Sequence, residues 1–369
     1  MLNKKELLNK AKRIVIKLGS QIIASDEKID ENFIENLAKE IKALKDREKE
    51  IILVSSGAVL SGLIKLGLNT KPKTITEKQA LASVGQAYLI QIYDKIFSKK
   101  NLNIGQILLT IEGLQERKRY ILAKNTIMKL LEMDIIPIIN ENDTVGVEEI
   151  VFGDNDFLAS HVSVLTDADL LIILSTAGGL YTSDPTDENS KLITEIKDIK
   201  EALKYAGSSK SKYGTGGMRS KLEASQLATV NGIPVVIAPK KENVISSILE
   251  GEEIGTFIYP QNRKVSKKKN WLKILSAPKG KVIVDRGAEK ALREGMSLLP
   301  IGIRDIEGIF NKKDVVAIEN LDGKIIGKGV VNYNYKDLKK IKGLKSNEVE
   351  KLLGKFTEVI HRDNLVIFE

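Results

Sequence analysis

The chain of 369 residues contains no cysteine, which excludes disulfides, thiolate nucleophiles, zinc–thiolate sites and iron–sulfur clusters together. Histidine is almost as scarce. His161 and His361 are the only two, too few for a multi-histidine metal site and poorly placed for a Ser-His-Asp triad in the first part of the chain. No apolar run approaches the ~18 residues of a membrane helix, because Lys, Asp or Gly interrupts each one. The opening segment MLNKKELLNKAKR is charged throughout and lacks the apolar core of a signal peptide, so a cytoplasmic location is expected. What remains for chemistry is Lys, Asp, Asn, Ser and the backbone amides.

Charge is unevenly placed. Residues 261–369 hold 24 basic and 14 acidic residues, a net of +10, which leaves 34 basic and 35 acidic residues before them. A neutral body thus carries a basic tail. The tail reads either as a surface for an acidic partner such as RNA, or as solubility combined with a lysine-rich bias, since Lys outnumbers Arg 48 to 10. At roughly 100–200 residues per domain, the length predicts two or three domains.

Up to residue 260, short runs apolar on both faces alternate with longer amphipathic stretches. The runs are Arg13–Leu18, Glu50–Val54, Ile104–Thr110, Ile135–Asn140, Leu170–Ser175 and Pro234–Ala238. Between them the spacing predicts helices over Glu31–Lys45, Lys78–Phe97, Gln115–Leu131, Asp156–Leu165 and Met218–Asn231. Repeated strand–helix alternation with doubly apolar strands predicts an α/β fold, a doubly wound α/β/α sandwich on a parallel sheet. Residues 261–276 are polar and basic and read as a linker. Residues 277–369 carry short alternating runs, Lys281–Asp285, Val315–Glu319, Lys324–Gly327, Val330–Tyr333 and Leu365–Phe368. With helices expected at Ala288–Glu294 and Asn347–Leu353, they form a second, smaller, mostly-β domain.

In a doubly wound sheet, ligands bind beyond the carboxyl ends of the strands, so the residues standing there matter most. Lys17 ends the first strand and Gly19-Ser20 follow, a pattern suited to an anion or to an ordinary strand–helix turn with a snorkelling lysine. Ser55-Ser56-Gly57-Ala58 ends the second strand and opens a helix, as an anion site or as a simple N-cap. Beyond the fourth strand come two acid–amide clusters, Asn140-Glu141-Asn142-Asp143 and Gly153-Asp154-Asn155-Asp156. They fit hydrogen bonding to a polar substrate, or placement of lysine and magnesium. Ser175-Thr176 follows the fifth strand, and Gly214-Thr215-Gly216-Gly217-Met218-Arg219-Ser220-Lys221 leads into a helix as a phosphate cradle would. Neither a P-loop nor a G-x-G-x-x-G motif is present.

Two lysines, glycine-rich loops and an Asp/Asn pocket suit phosphoryl transfer, a reaction dominated by positioning and charge neutralisation. With no evident general base, an acceptor already ionised at neutral pH is favoured. A carboxylate meets that condition and yields an acyl phosphate.

The motifs IVIKLGS (Ile14–Ser20), VSSGAV (Val54–Val59), INENDTV (Ile139–Val145), FGDNDFLA (Phe152–Ala159), GLYTSDP (Gly179–Pro185) and the glycine loop ending at Lys221 resemble the amino-acid kinase superfamily, and within it the glutamate 5-kinases. The tail, through VDRGAEKAL (Val284–Leu292), SLLPIGI (Ser297–Ile303) and EVIHRDNLV (Glu358–Val366), is similar to the PUA domain appended to bacterial members. The resemblance implies ATP-dependent phosphorylation of the L-glutamate γ-carboxylate, the first step of proline synthesis. It assigns Lys17 and Lys221 to the transferring phosphate and Asp156 to orienting them. Ser56, Asp143 and Asn155 fall to glutamate; Ser175, Thr176 and Thr215, Gly216, Gly217, Met218, Arg219, Ser220 and Lys221 fall to ATP. Mg2+ would arrive on the nucleotide, with no dedicated protein metal site. Proline as feedback inhibitor, a homo-oligomer and RNA binding by the PUA domain are further implications. The chain departs from the family pattern at Thr176, where an acid is usual, and at Arg219-Ser220. The alternatives are a kinase for a related substrate and an RNA-binding protein whose kinase body is inactive.

Overall fold

All six apolar runs pair into one sheet, five of them buried along most of their length and the strand Ile104–Leu109 partly exposed at its edge. In the computed structural model the strands are β1 (Arg13–Leu18), β2 (Glu50–Ser55), β3 (Ile104–Leu109), β4 (Ile136–Glu141), β5 (Leu170–Leu174), the short β6 (Leu180–Tyr181), β7 (Leu192–Ile193) and β8 (Glu195–Ile196), then β9 (Val235–Ala238) and β10 (Thr256–Ile258). The structure describes residues 3–25, 28–146, 155–205, 217–261, 272 and 276–368. It divides into two compact units, Met1–Gly113 with Lys118–Lys264, and Leu114–Arg117 with Val265–Glu369.

The sheet of the first unit runs β3-β4-β2-β1-β5-β9-β10-β8. Its strands are parallel except that β10 runs antiparallel to β9. After β1 the chain builds β2, β3 and β4 on one side, then crosses to place β5 on the other. β1 is therefore central, and the point between β1 and β5 is where the order reverses, the position at which such sheets bind ligands. The register sets Lys17 between Val54 and Ile173, one residue before the carboxyl end of β1. Ile14, Ile16 and Leu18 of β1, Leu53 of β2 and Ile172 of β5 pack with Ile34 and Leu37 of the helix Glu31–Lys45 and Tyr93 and Phe97 of the helix Ile75–Ser98.

The long helix starts three residues before its expected position, because Thr74 and Glu77 form a capping box. Against it lies the helix Ala58–Leu66, and the two backbones touch through glycine. A Cβ on Gly85 would stand 1.8 Å from the carbonyl oxygen of Ala58, and one on Gly62 would stand 2.1 Å from that of Leu81. The start of the Ala58 helix, directly after Ser55-Ser56, is thereby fixed by bare backbone contact. The expected helix Gln115–Leu131 is instead split into Ile111–Gln115 and Arg117–Glu132.

The second unit is a five-stranded sheet of order β12-β11-β13-β14-β15, with β11 Gly280–Val284, β12 Ile303–Gly308, β13 Val315–Glu319, β14 Ile325–Val330 and β15 Leu365–Ile367. The run read at Lys324–Gly327 continues through Gly329 to Val330 as β14, and the run read at Val330–Tyr333 leaves the strand after Val330. These glycines serve close packing: a Cβ on Gly327 would meet the Val366 carbonyl oxygen at 2.4 Å, and one on Gly329 would meet Ile360 Cγ2 at 2.6 Å. Strand β12 escaped sequence reading because Arg304, Asp305 and Glu307 stand exposed on it, at the sheet edge where charge is tolerated. The helix Tyr335–Ile341 was also unforeseen; its Asn334 cap accepts from the Asp337 N–H.

Replacing a helical glycine by alanine ordinarily stabilises by about 1 kcal/mol. For Gly85→Ala the sign reverses, because the added methyl collides with backbone that cannot move aside. We expect a loss of about 1–3 kcal/mol in urea unfolding, as for other overpacked cores.

Candidate active site

Asp156 is fully buried in the first turn of the helix Asn155–Thr166, where the positive end of the helix dipole favours a carboxylate. Two lysines close on it from different elements. Lys17 Nζ, from the end of β1, lies 2.5 Å from Asp156 Oδ1. Lys221 Nζ, from the first turn of the helix Met218–Val230, lies 2.9 Å from Oδ2. Both lysines are themselves buried. Burying an ammonium is costly without a paired anion, and here each carboxylate oxygen takes one. The two helices that bring Asp156 and Lys221 are joined by Ser160 Oγ, which donates to the Ala224 carbonyl oxygen at 2.7 Å. Two ammonium groups are thus held on the two oxygens of one carboxylate, at the strand-order reversal.

Next to this triangle is a chain of amides. Asn155 is buried, and its Nδ2 donates to the Ser55 carbonyl oxygen at 3.1 Å and to Asn140 Oδ1 at 2.7 Å. Asn140 Oδ1 also accepts the Glu141 backbone N–H at 2.9 Å, while Asn140 Nδ2 donates to Gln86 Oε1 at 2.7 Å. Ser55 Oγ and Tyr93 Oη share a hydrogen bond of 3.0 Å, and burial pushes the Tyr93 phenol above its ordinary value. Ser56 is half-buried and anchored by its backbone N–H to the Leu18 carbonyl oxygen, which keeps β1 and the Ala58 helix in register. Gly57 caps that helix at φ 101°, without a side-chain cap. Asp143 is half-buried in the turn that follows β4, a turn closed by the Val145 and Gly146 N–H groups donating to the Asn142 carbonyl oxygen.

Of the residues expected to face a nucleotide, Ser175 is buried and Thr176 is exposed in the turn after β5. The Ala177 N–H reaches Ser175 Oγ at 3.3 Å. Gly217 is the N-cap of the Met218 helix and makes no side-chain cap hydrogen bond. Met218 and Ser220 are half-buried. Arg219 is exposed, with Nε 3.0 Å from Glu223 Oε1. Thr215, Gly216, Gly153 and Asp154 lie outside the described residues, as does most of the linker. Sequence reasoning missed Gln86 as part of the site. The one available signal was Gly85, an out-of-place helix glycine beside Gln86.

The amino acid kinase family pattern matches residues 12–239 and the PUA domain pattern residues 280–353. A glutamate 5-kinase of Aquifex aeolicus is 50% identical over 96% of this chain and 99% of its own length. One from Carboxydothermus hydrogenoformans is 45% identical over 99% of this chain and all of its own. The chain belongs to the glutamate 5-kinase family. Among solved structures, a carbamate kinase from Giardia lamblia bound to AMP-PNP matches with a TM-score of 0.51 at 15% identity, covering 68% of this chain and 99% of that one, a likeness of fold. In this member of the family the helix that carries Asn155 and Asp156 also carries a buried histidine.

His161 is enclosed by the core, and its Nδ1 has no hydrogen-bond partner among the described residues. Burial disfavours the imidazolium and pushes its pKa down to about 4. The unfolded chain takes up this proton near pH 6.5, the folded chain only near pH 4. Its contribution is therefore present above pH 6.5 and lost as the pH falls towards 4, by roughly 3 kcal/mol in all. Urea unfolding at pH 7, 6, 5 and 4 should show this slope, and His161→Leu should flatten it.

Proposed function

We propose that the protein transfers the γ-phosphoryl group of ATP to the γ-carboxylate of L-glutamate, forming γ-glutamyl phosphate and ADP, the first step of proline synthesis. The observation that carries this reading is the buried triangle of Lys17, Asp156 and Lys221 at the strand-order reversal. A carboxylate oxygen of glutamate attacks the γ-phosphorus, the bond to the bridging oxygen breaks, and ADP leaves with that electron pair. The nucleophile arrives ionised, since an unperturbed glutamate carboxyl has a pKa near 4.3, and no residue needs to remove a proton. The two ammonium groups meet the charge that spreads over the equatorial oxygens, and Asp156 holds them at fixed positions so that little reorganisation is needed.

Ser56, Asp143 and Asn155 bind glutamate in this reading. Ser175, Thr176 and residues 215–221, with Lys17, bind ATP, and the positive end of the Met218 helix suits its phosphates. Arg219, turned toward Glu223 along the helix, serves the nucleotide from the rim. Mg2+ accompanies the nucleotide, held by phosphate oxygens and water. The reluctance of magnesium to shed its waters favours that arrangement over a dedicated cage of side chains.

Relatives of matching length bear the glutamate 5-kinase name, so a related substrate and an inactive kinase body are not favoured. Among the described residues no helix is long and apolar enough to cross a membrane, which accords with a cytoplasmic enzyme. Ile121 and Leu122 lie exposed on the helix Arg117–Glu132, which supports association of copies into a homo-oligomer. Proline shares the α-nitrogen and α-carboxylate of glutamate, which supports feedback inhibition at the same site. The net +10 of residues 261–369 supports an additional RNA contact by the PUA unit.

With ATP, magnesium and hydroxylamine, L-glutamate should give ADP and a trapped hydroxamate, while L-aspartate, N-acetyl-L-glutamate and UMP should not. Absence of hydroxamate with a folded, ATP-binding protein would overturn the reading. Lys221→Ala should lower kcat about 100-fold or more, as loss of a transition-state charge does. Its thermal transition should stay near that of the parent protein, because Lys17 still neutralises Asp156.

A further inference from the structure

The amide chain beside the lysines has a polarity that backbone groups alone decide. The Glu141 N–H can only donate, so the Asn140 atom it meets is the oxygen, and Asn140 must present its NH2 to Gln86. Gln86 must then answer with Oε1. The Ser55 carbonyl can only accept, so the Asn155 atom facing it and Asn140 Oδ1 is the nitrogen. Both hydrogens of Asn155 Nδ2 are thereby used. Neither end of the chain can flip without setting like poles against each other. Two groups are left over: Asn155 Oδ1, an acceptor beside the phosphoryl-transfer triangle, and Gln86 Nε2, a pair of donors at the far end. Gln86 is half-buried, and it meets the chain through Oε1, so Nε2 is not the atom engaged by Asn140.

An acceptor at one end and donors at the other match in polarity the ammonium and the carboxylate that an α-amino acid carries on one carbon. The reacting carboxylate must lie at Lys17 and Lys221, so the other end of the substrate faces the amides. We propose that Gln86 is a substrate-binding residue that donates from Nε2 to the α-carboxylate of the amino-acid substrate, while Asn155 Oδ1 accepts from its α-ammonium. This rests on the glutamate reading above and deepens it: the amide chain selects a free α-amino acid. Gln86 is carried by the long helix whose Gly85 touches the Ala58 helix backbone, so its position is set by the same tight contact that fixes the strand end.

Two substitutions separate binding from propping. Gln86→Glu keeps an oxygen for Asn140 Nδ2 but replaces the donors with a negative charge. Gln86→Met removes both. We expect KM for L-glutamate to rise about tenfold or more in each, as for loss of a hydrogen bond to a charged group, and at least as far in Gln86→Glu as in Gln86→Met. KM for ATP, which reports an intact fold, should stay within about twofold, and kcat should fall far less than KM rises. As a competitive inhibitor of hydroxamate formation, 4-aminobutyrate, which lacks the α-carboxylate, should lose no potency in either variant. A parent-like KM in Gln86→Glu beside a raised KM in Gln86→Met would reduce Gln86 to a prop for Asn140 and overturn the proposal, as would a parent-like KM in both. If the parent protein itself forms no hydroxamate with L-glutamate, the activity reading fails first and the proposal falls with it.

Discussion

One buried carboxylate organises the catalytic half of this molecule. Asp156 has no exposure to solvent, and its two oxygens each hold a lysine from a different part of the chain. Removed from water, neither ammonium is tolerable alone and neither is the carboxylate. The three elements that supply them are therefore bound to one geometry: the end of β1, the start of the Asn155 helix and the start of the Met218 helix. The hydroxyl of Ser160 ties the two helices side by side. A site for phosphoryl transfer needs positive charge at fixed places before the reaction begins, and mutual burial of opposite charges is a way to hold it there.

The neighbouring amides use a different device. Neutral amides, chained through Asn155, Asn140 and Gln86, take their direction from two backbone groups and pass it along without any charge. Such a chain tolerates no flipped member, since a flipped amide sets like poles facing each other. The amide chain and the charged triangle meet at adjacent residues, Asn155 and Asp156. One helix start thus sets both the last amide of the chain and the carboxylate that holds the lysines.

Much of this was open to reading along the chain. Doubly apolar runs such as Leu170–Leu174 can only sit inside a covered parallel sheet, and the six of them announced the α/β fold before any contact was known. Lys17, Asp156 and Lys221 stood out because each occupies a strand end or a helix start, where polar residues carry positional meaning. Less was visible in the second unit. Gly327 and Gly329 resemble turn residues, yet they lie within a strand because neighbouring backbone and Ile360 come too close for a side chain. Strand β12 hides its alternation under the charged residues an edge strand carries.

Local chemistry determined, from the order of residues alone, which segments become strands, which become helices, and which polar groups stand at their ends. Period and capping act over a few residues and need no partner. Only the tertiary structure decided which of those ends meet. Lys17 and Asp156 lie 139 positions apart in sequence, and no periodicity relates them; the strand order β2-β1-β5 and the packing of two helices do. Gln86 shows the same limit from the other side. Within its helix it is an ordinary polar residue, and its meaning comes from Asn140, on a strand that the fold brings beside it.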